Sequence, residues 1–313
     1  MPLALPPSTP ATTDLVACGE CSLDTLAIID GYPAANEKRR LEWRAEAPGG
    51  QAATAALVCR RLGWRARYVG AVGDDAEAHA ALESLVRYGV EVRVTVCRGV
   101  RTRTAIVISD VLTGTRTVLE ARDPALRCGE RFDREAVVTS RVLLVDATDV
   151  RASLAAARVA RTAGVPVVLD ADAVSPTLAG LLAVADVIIM PAGALCGLTG
   201  APAVGEALRR VAGSYPAPVV VATLGAEGSI ALAAGTEVRT PAHPVDVRDT
   251  TGAGDAFRAG FVAGWLGGGP EASLEDVLRY ANVVGGESCR GFGAQGFLPL
   301  RADVDRLFNA SPA

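Results

Sequence analysis

The sequence predicts an α/β fold: a mostly parallel central sheet covered by helices on both faces, with a small antiparallel sheet beside it. Three observations carry this. Short apolar, β-branched runs alternate with helical stretches along most of the 313 residues, the pattern of βαβ units. Half of the residues are hydrophobic, enough for one large core or a core with a smaller appended layer. Two stretches, 31–50 and 94–123, break the alternation and have no helical period.

The elements follow in order. The opening "MPLALPPSTPATTD" is rich in proline and has no basic residue; it fits neither a signal nor a transit peptide, and 1–14 reads as a disordered segment. "LVACGE" (15–20) is a buried strand, 49–64 a helix entered through a glycine pair, 66–73 a strand and 75–90 a helix closed by Gly89. The same grammar returns with "VLLVDA", a helix over 151–163, "VPVVLDAD", a helix near 176–184, "DVIIMPA", a helix over 203–213 and "PVVVATLG". The α/β domain is therefore expected over 15–30, 48–93 and 124–313. The stretch 94–123 alternates as strands do, with a turn at Leu112–Gly114, so 31–47 and 94–123 are expected to form a β lid. Two uses of that sheet fit, a lid over a cleft and a layer for dimer packing.

Composition excludes several functions. Charged residues are 21% and the net charge is -4, so there is no basic face for a nucleic acid. No run of 18 uncharged apolar residues suggests a membrane span. Seven scattered cysteines suit a reducing, cytoplasmic location. "CGEC" (18–21) has no second CxxC or histidine pair with which to bind zinc; a redox pair and two small residues ending a buried strand both remain. His79 and His243 are the only histidines, too few for a multi-histidine metal site and a poor start for a triad.

The chemistry concentrates in "DTTGAGDAF" (249–257), followed by an apolar helical stretch. Gly252, Ala253 and Gly254 ahead of a helix suggest backbone N–H groups turned towards an anion. Asp255 at the mouth of such a site should repel the anion, unless the acid acts on a second reactant. Phosphoryl transfer supplies that reason: backbone donors hold the phosphate while a carboxylate orients the attacking hydroxyl and takes its proton. The helix N-terminus is expected to favour ionised Asp255 and leave it a weak base. Walker A, the protein-kinase strings and the third glycine of a dinucleotide fingerprint are all absent.

Over about 15–300 the sequence resembles the PfkB/ribokinase family of sugar kinases. "DTTGAGDAFRAGF" carries the resemblance most specifically, supported by "GECSLDTLAIIDGYP", "GGQAATAALVCRRLGWRARYVGAVGDD" and "TLGAEGS" (223–229). It implies a ribokinase-like three-layer α/β/α sandwich with a β lid. It also implies ATP and Mg²⁺ as cofactors, K⁺ as a further ion, and transfer of the γ-phosphoryl group to a hydroxymethyl group of a sugar. By position, the resemblance makes Asp255 the base and Gly252, Ala253 and Gly254 the anion hole. Asp24, Gly49, Gly50 and Thr54 would meet the sugar. Thr223, Gly225, Gly228 and Asn282 would line the nucleotide site. Asp249, Thr251, Ser288, Gly291 and Gly293 match the region that binds a monovalent cation. Homodimers meeting through their lids are implied as well.

Two departures bear on the substrate. Thr54 stands where ribokinase has asparagine. Pro191 and Ala194 stand at the two positions of an N-x-x-E string tied to Mg²⁺, which leaves the metal to phosphates, water and acids such as Asp170 or Asp172. The ketohexokinase-like and sulfofructose-kinase-like branches share that second departure, so a ketose is the expected substrate. Arg39, Arg40, Arg44, Arg101 and Arg103 in the lid suit a polar or anionic sugar. A nucleoside kinase of the same fold and a sugar-sensing protein without turnover are the alternatives.

Overall fold

The computed structural model describes residues 11–113, 115–269 and 272–310. Its middle layer is a nine-stranded sheet, with strands numbered in chain order. The parallel part contains β1 (Thr13–Gly19), β4 (Ala66–Gly73), β5 (Glu91–Cys97), β8 (Ser140–Asp146), β9 (Val167–Asp170), β10 (Val187–Pro191) and β11 (Val219–Thr223). β12 (Ser229–Ala233) and β13 (Thr236–Thr240) close one edge in antiparallel fashion. The order is β13-β12-β11-β10-β9-β8-β1-β4-β5.

Both faces of this sheet are covered, which is why its strands read as unbroken apolar runs. On one face lie α1 (Gln51–Arg61), α2 (Ala76–Arg87), α8 (Ala253–Gly268), α9 (Leu274–Ser288) and α10 (Arg301–Ala310). On the other lie α3 (Arg134–Val138), α4 (Val150–Thr162), α5 (Leu178–Leu182), α6 (Ala192–Thr199) and α7 (Val204–Ser214). Local signals set several of the starts. Asp75 accepts from the Ala78 N–H at 3.0 Å ahead of α2, and Ser273 from the Asp276 N–H at 3.1 Å ahead of α9, each satisfying a donor that the first turn leaves open. Cys18 and Cys21 are buried in opposite cores. "CGEC" is thus the end of a strand and not a redox pair.

The small sheet differs from the expected lid in its membership. It has the order β3-β2-β6-β7, from β2 (Ser22–Ile29), β3 (Trp43–Gly49), β6 (Thr104–Asp110) and β7 (Arg116–Ala121). β2 was expected within the α/β domain, and residues 94–97 of β5 were expected in the lid, but the whole strand forms the edge of the large sheet. Alternation alone could not assign β5: Val92 and Val94 pack against the large core, and the strand pairs in parallel with β4 along its whole length. β1 starts at Thr13, and Asp14 is ion-paired with Arg65 at 3.1 Å, so order begins before the expected boundary. Residues 1–10 and Gly114 of the expected turn lie outside the described residues.

This topology positions a site. From β1 the chain builds β4 and β5 to one side, then returns to build β8 to β11 on the other. The strand order reverses between β1 and β8, and ligands of open α/β sheets bind at that crevice, beyond the carboxyl ends of the strands.

Helix α8 packs closely on α9, and two of its glycines should respond in opposite ways. A Cβ on Gly260 would sit 2.8 Å from the Val284 Cβ and 2.9 Å from the Ala281 Cα. A Cβ on exposed Gly267 would meet only Trp64, at 3.8 Å. Gly260→Ala should cost about 1–3 kcal/mol by overpacking, whereas Gly267→Ala should gain about 0.5–1 kcal/mol from helix propensity. Urea unfolding of the two variants checks the contrast in sign.

Candidate active site

The carboxyl ends of the strands line one continuous cavity of about 910 Å³. Glu20 follows β1, Thr148 follows β8, Asp172 follows β9, and Pro191 and Thr223 end β10 and β11. The small sheet covers one end of it with Asp24, Arg103, Val107 and Glu120. The other end, past Thr223, is lined by Gly225, Gly228, His243 and Asn282. Between the two ends, the start of α8 contributes Gly252, Ala253, Gly254 and Asp255.

Gly252 caps α8 at φ +78°, and a Cβ there would lie 2.6 Å from the Ala294 Cα. Only glycine fits that left-handed, crowded corner, which turns the chain so that the first N–H groups of α8 have no intrahelical partner. Such a helix start is an anion-binding surface. Asp255 follows in the first turn, buried, with its carboxyl pushed up to about 7. Burial is the largest cause, followed by the charge of Asp172; Arg258 and Arg116 pull the other way. This corrects the expectation of a low, helix-favoured pKa: loss of water and a neighbouring carboxylate outweigh the helix start.

Arg258, one turn further along α8, escaped the sequence reading. Its side chain is fully buried, and its Nη2 lies 2.7 Å from Asp170 Oδ1 and 2.6 Å from Asp172 Oδ1. The guanidinium occupies the space a side chain on Gly254 would need, a second reason for glycine in the loop. The signal was a lone arginine inside an apolar helical stretch. Asp170 is fully buried and also receives Gln51 Nε2 at 3.4 Å. Both acids named as metal candidates are therefore neutralised by an arginine. Among the described residues, no group of three or more His, Cys, Asp or Glu side chains is arranged to hold a metal ion.

The other predicted residues divide between the cavity and its supports. Asp24 lines the cavity, and its carboxylate sits where a side chain on Gly49 would fall. Burial raises the Asp24 pKa, against the Ser22 hydroxyl and Arg103. Gly50 lines the cavity, but Gly49 does not. Thr54 is a correction: it is fully buried in α1, away from the cavity wall, and accepts from Gln295 Nε2 at 3.3 Å. Thr223, Gly225, Gly228 and Asn282 share the far end, where the Asn282 amide donates to Thr240 Oγ1 at 2.8 Å and Pro241 O at 3.0 Å. These bonds tie α9 to the strand β13.

Asp249 caps the loop. Its Oδ1 accepts from Thr251 N and Oγ1 at 3.0 and 2.8 Å, and its Oδ2 from Gly293 N at 2.8 Å. A monovalent cation at this carboxylate would compete with those donors. Ser288 donates to the Gly285 carbonyl at 2.8 Å within α9. Gly291 and Gly293 are places of close contact, with Gly296 and Leu26 respectively. Of the expected cation group, only Thr251 lines the cavity.

The lid arginines also differ from expectation. Arg103 is surrounded by Glu20, Asp24 and Glu120; Arg39 is paired with Asp30 and Glu37 at the surface. Two cavity arginines went unnoticed in the sequence: Arg116, whose Nη1 donates to Thr250 Oγ1 at 2.8 Å, and Arg122, which donates to the Thr148 carbonyl at 2.7 Å.

Arg258→Met would leave Asp170 buried without its cation, at a cost that approaches about 3–5 kcal/mol only where Asp170 is ionised. Burial already holds the Asp170 pKa well above the carboxylate range, so the variant's stability should fall further as pH rises and deprotonation is forced. Urea unfolding at pH 5.5 and 8.5 measures both effects.

Comparison with known proteins agrees with this geometry. Residues 12–301 match the model of the pfkB family carbohydrate kinases. The ribokinase of Bacillus subtilis (strain 168) is 28% identical over 304 residues, covering 95% of this chain and 99% of that protein. A crystal structure described as a putative ribokinase from Agrobacterium tumefaciens superposes with TM-score 0.85 at 28% identity, covering 95% of this chain and 97% of that one. The Arabidopsis thaliana ribokinase complexed with ribose and ATP shares the fold, with TM-score 0.80 at 24% identity, covering 96% of this chain and 99% of that one. The chain belongs to the pfkB family of carbohydrate kinases.

Proposed function

We propose that this kinase transfers the γ-phosphoryl group of ATP to a hydroxymethyl group of a sugar, with a ketose as the acceptor class and Asp255 as the base. One observation carries the reading: the start of α8, with Asp255 in its first turn, lies between the Asp24 end and the Thr223–Asn282 end of a single cavity. At about 910 Å³ the cavity has the size of a small-molecule site. ATP bound in a related ribokinase supports the nucleotide. Thr223, Gly225, Gly228 and Asn282 would hold it, with its transferring phosphate at the N–H groups of Gly252, Ala253 and Gly254. Mg²⁺ fits as an ion carried in by the phosphates, because it keeps several waters and needs few protein ligands; when bound it neutralises developing charge on them.

The chain's own residues then do three things. Asp24 accepts from sugar hydroxyls and aims the hydroxymethyl oxygen. The helix start takes up charge on the transferring group. Asp255 takes the proton of the attacking hydroxyl as the new P–O bond forms and the bond to the ADP oxygen breaks. A base with a pKa near 7 is well matched to neutral pH. Phe257 is the one Phe, Tyr or Trp on the cavity wall among the described residues, which disfavours a stacked nucleobase and hence a nucleoside acceptor.

We also propose a homodimer through the small sheet. Ile106 and Leu119 are cross-strand partners, about half exposed on one face. Ala105 and Val107 lie on the opposite, buried face with Leu26. The self-association face is therefore the Ile106 side; a charge at Val107 would enter the cleft instead. Light scattering should give twice the monomer mass, and Ile106→Lys should return a monomer.

For the chemistry, Asp255→Asn should lower kcat by about 10²–10⁴ with ATP binding retained. Wild-type kcat/KM should rise with pH through about 7, as the buried carboxyl ionises. The stability sign follows from the same shift: a folded pKa raised to about 7 stabilises below the unfolded value of 3.8 and is lost as pH rises through 7. Asp255→Asn should therefore gain in Tm over wild type between pH 4 and 8. Full turnover in Asp255→Asn would remove the base assignment.

A further inference from the structure

The acceptor end of the cavity holds more charge than phosphoryl transfer requires. Glu20 leaves β1 at the point where the strand order reverses, and its N–H donates to Asp146 Oδ2 at 2.6 Å. Its side chain and that of Asp24 are each only 9% exposed, yet both line the cavity. Arg103 lies between them, with Nε 2.7 Å from Glu20 Oε1 and Nη1 3.8 Å from Asp24 Oδ1; its Nη2 is 3.2 Å from Glu120 Oε2. Close as these ion pairs are, Glu20 Oε1 and Asp24 Oδ1 receive no aligned hydrogen bond. One guanidinium thus serves three carboxylates, and two buried acceptor oxygens still lack donors.

We propose that Glu20 and Asp24, held together by Arg103, are paired acceptors for the hydroxyls of one sugar, and that they select an uncharged polyhydroxy acceptor over sugar acids, sugar phosphates and sulfonated sugars. The proposal rests on the sugar-kinase reading of this site. A buried acceptor without a donor is costly, and sugar hydroxyls supply the missing donors. An anionic sugar would bring further negative charge to a corner where three acids share one guanidinium. Burial has lifted the Glu20 carboxyl to about 8, so it keeps its proton at neutral pH, a sign that this corner resists negative charge. Two further arginines of this wall are held by neutral acceptors, Arg116 by the Thr250 hydroxyl and Arg122 by the Thr148 carbonyl. Of the lid arginines read in the sequence, only Arg103 lines the cavity, and it is shared by three acids.

Calorimetry and ADP release separate this inference from the kinase reading. The probes are D-fructose, D-ribose and D-tagatose against D-gluconate, D-fructose 6-phosphate and a 6-sulfonated ketohexose, with wild-type protein and MgATP. At least one uncharged sugar should bind 100-fold or more tightly than every anionic probe. Glu20→Ala should weaken that sugar tenfold or more while the KM for ATP stays within twofold. At pH 9, where Glu20 is ionised, Glu20→Gln, which keeps the shape, should narrow the gap between uncharged and anionic probes at least tenfold, a change that a merely structural role would not produce. An anionic probe within tenfold of the best uncharged sugar, or a gap at pH 9 unchanged in Glu20→Gln, would overturn the proposal. Preferential binding of the uncharged sugar without ADP release would overturn the kinase reading and leave the selectivity standing.

Discussion

A single buried guanidinium holds the start of α8, on the cavity wall, to the end of the central sheet. Arg258 reaches from α8 to Asp170 and Asp172, the first ending β9 and the second just beyond it. Without it, Asp170 would lose the cation that opposes the effect of its burial, and the start of α8 would lose its tie to the strand ends. The same guanidinium fills the space beside Gly254, so packing alone already requires a glycine there. Its positive charge also restrains the rise in the Asp255 pKa, opposing burial and the Asp172 charge. Position, stability and acidity of the proposed base are thus set by one residue.

A second balance of charge operates about Arg103. Both clusters put carboxylates at the carboxyl ends of parallel strands and neutralise them with an arginine from a neighbouring element. A crevice built this way is polar, with its acids gathered about fixed guanidinium groups. Fixed dipoles and charges of that kind favour a transition state without reorganising during the reaction.

The parallel sheet and its helices were legible because their strands are apolar on both faces and their helices are closed by glycines and caps. The start of α8 was legible because "DTTGAGD" sets its glycine cap and first-turn acid in contiguous residues. The edge of the large sheet was not: β5 alternates like a lid strand, and only its pairing with β4 distinguishes it. Thr54 misled for a related reason, since adjacency to Gly50 does not say which side of α1 faces the crevice. Glu20 with Arg103, and Arg258 with Asp170 and Asp172, came together only on folding; the members of each cluster are distant in sequence, and what unites them is counter-charge. The Asp255 pKa was misjudged because a helix start is visible in sequence and burial is not.

The central claim is that one cavity brings a sugar hydroxymethyl group, a transferable phosphate and Asp255 together. Product analysis tests it most directly. Wild-type protein incubated with MgATP and the sugar it binds best should release one ADP per phosphate monoester formed, and phosphorus–carbon coupling in the NMR spectrum should locate the ester on a primary carbinol carbon. ADP released with inorganic phosphate alone, or an ester on a secondary carbon, would contradict the account.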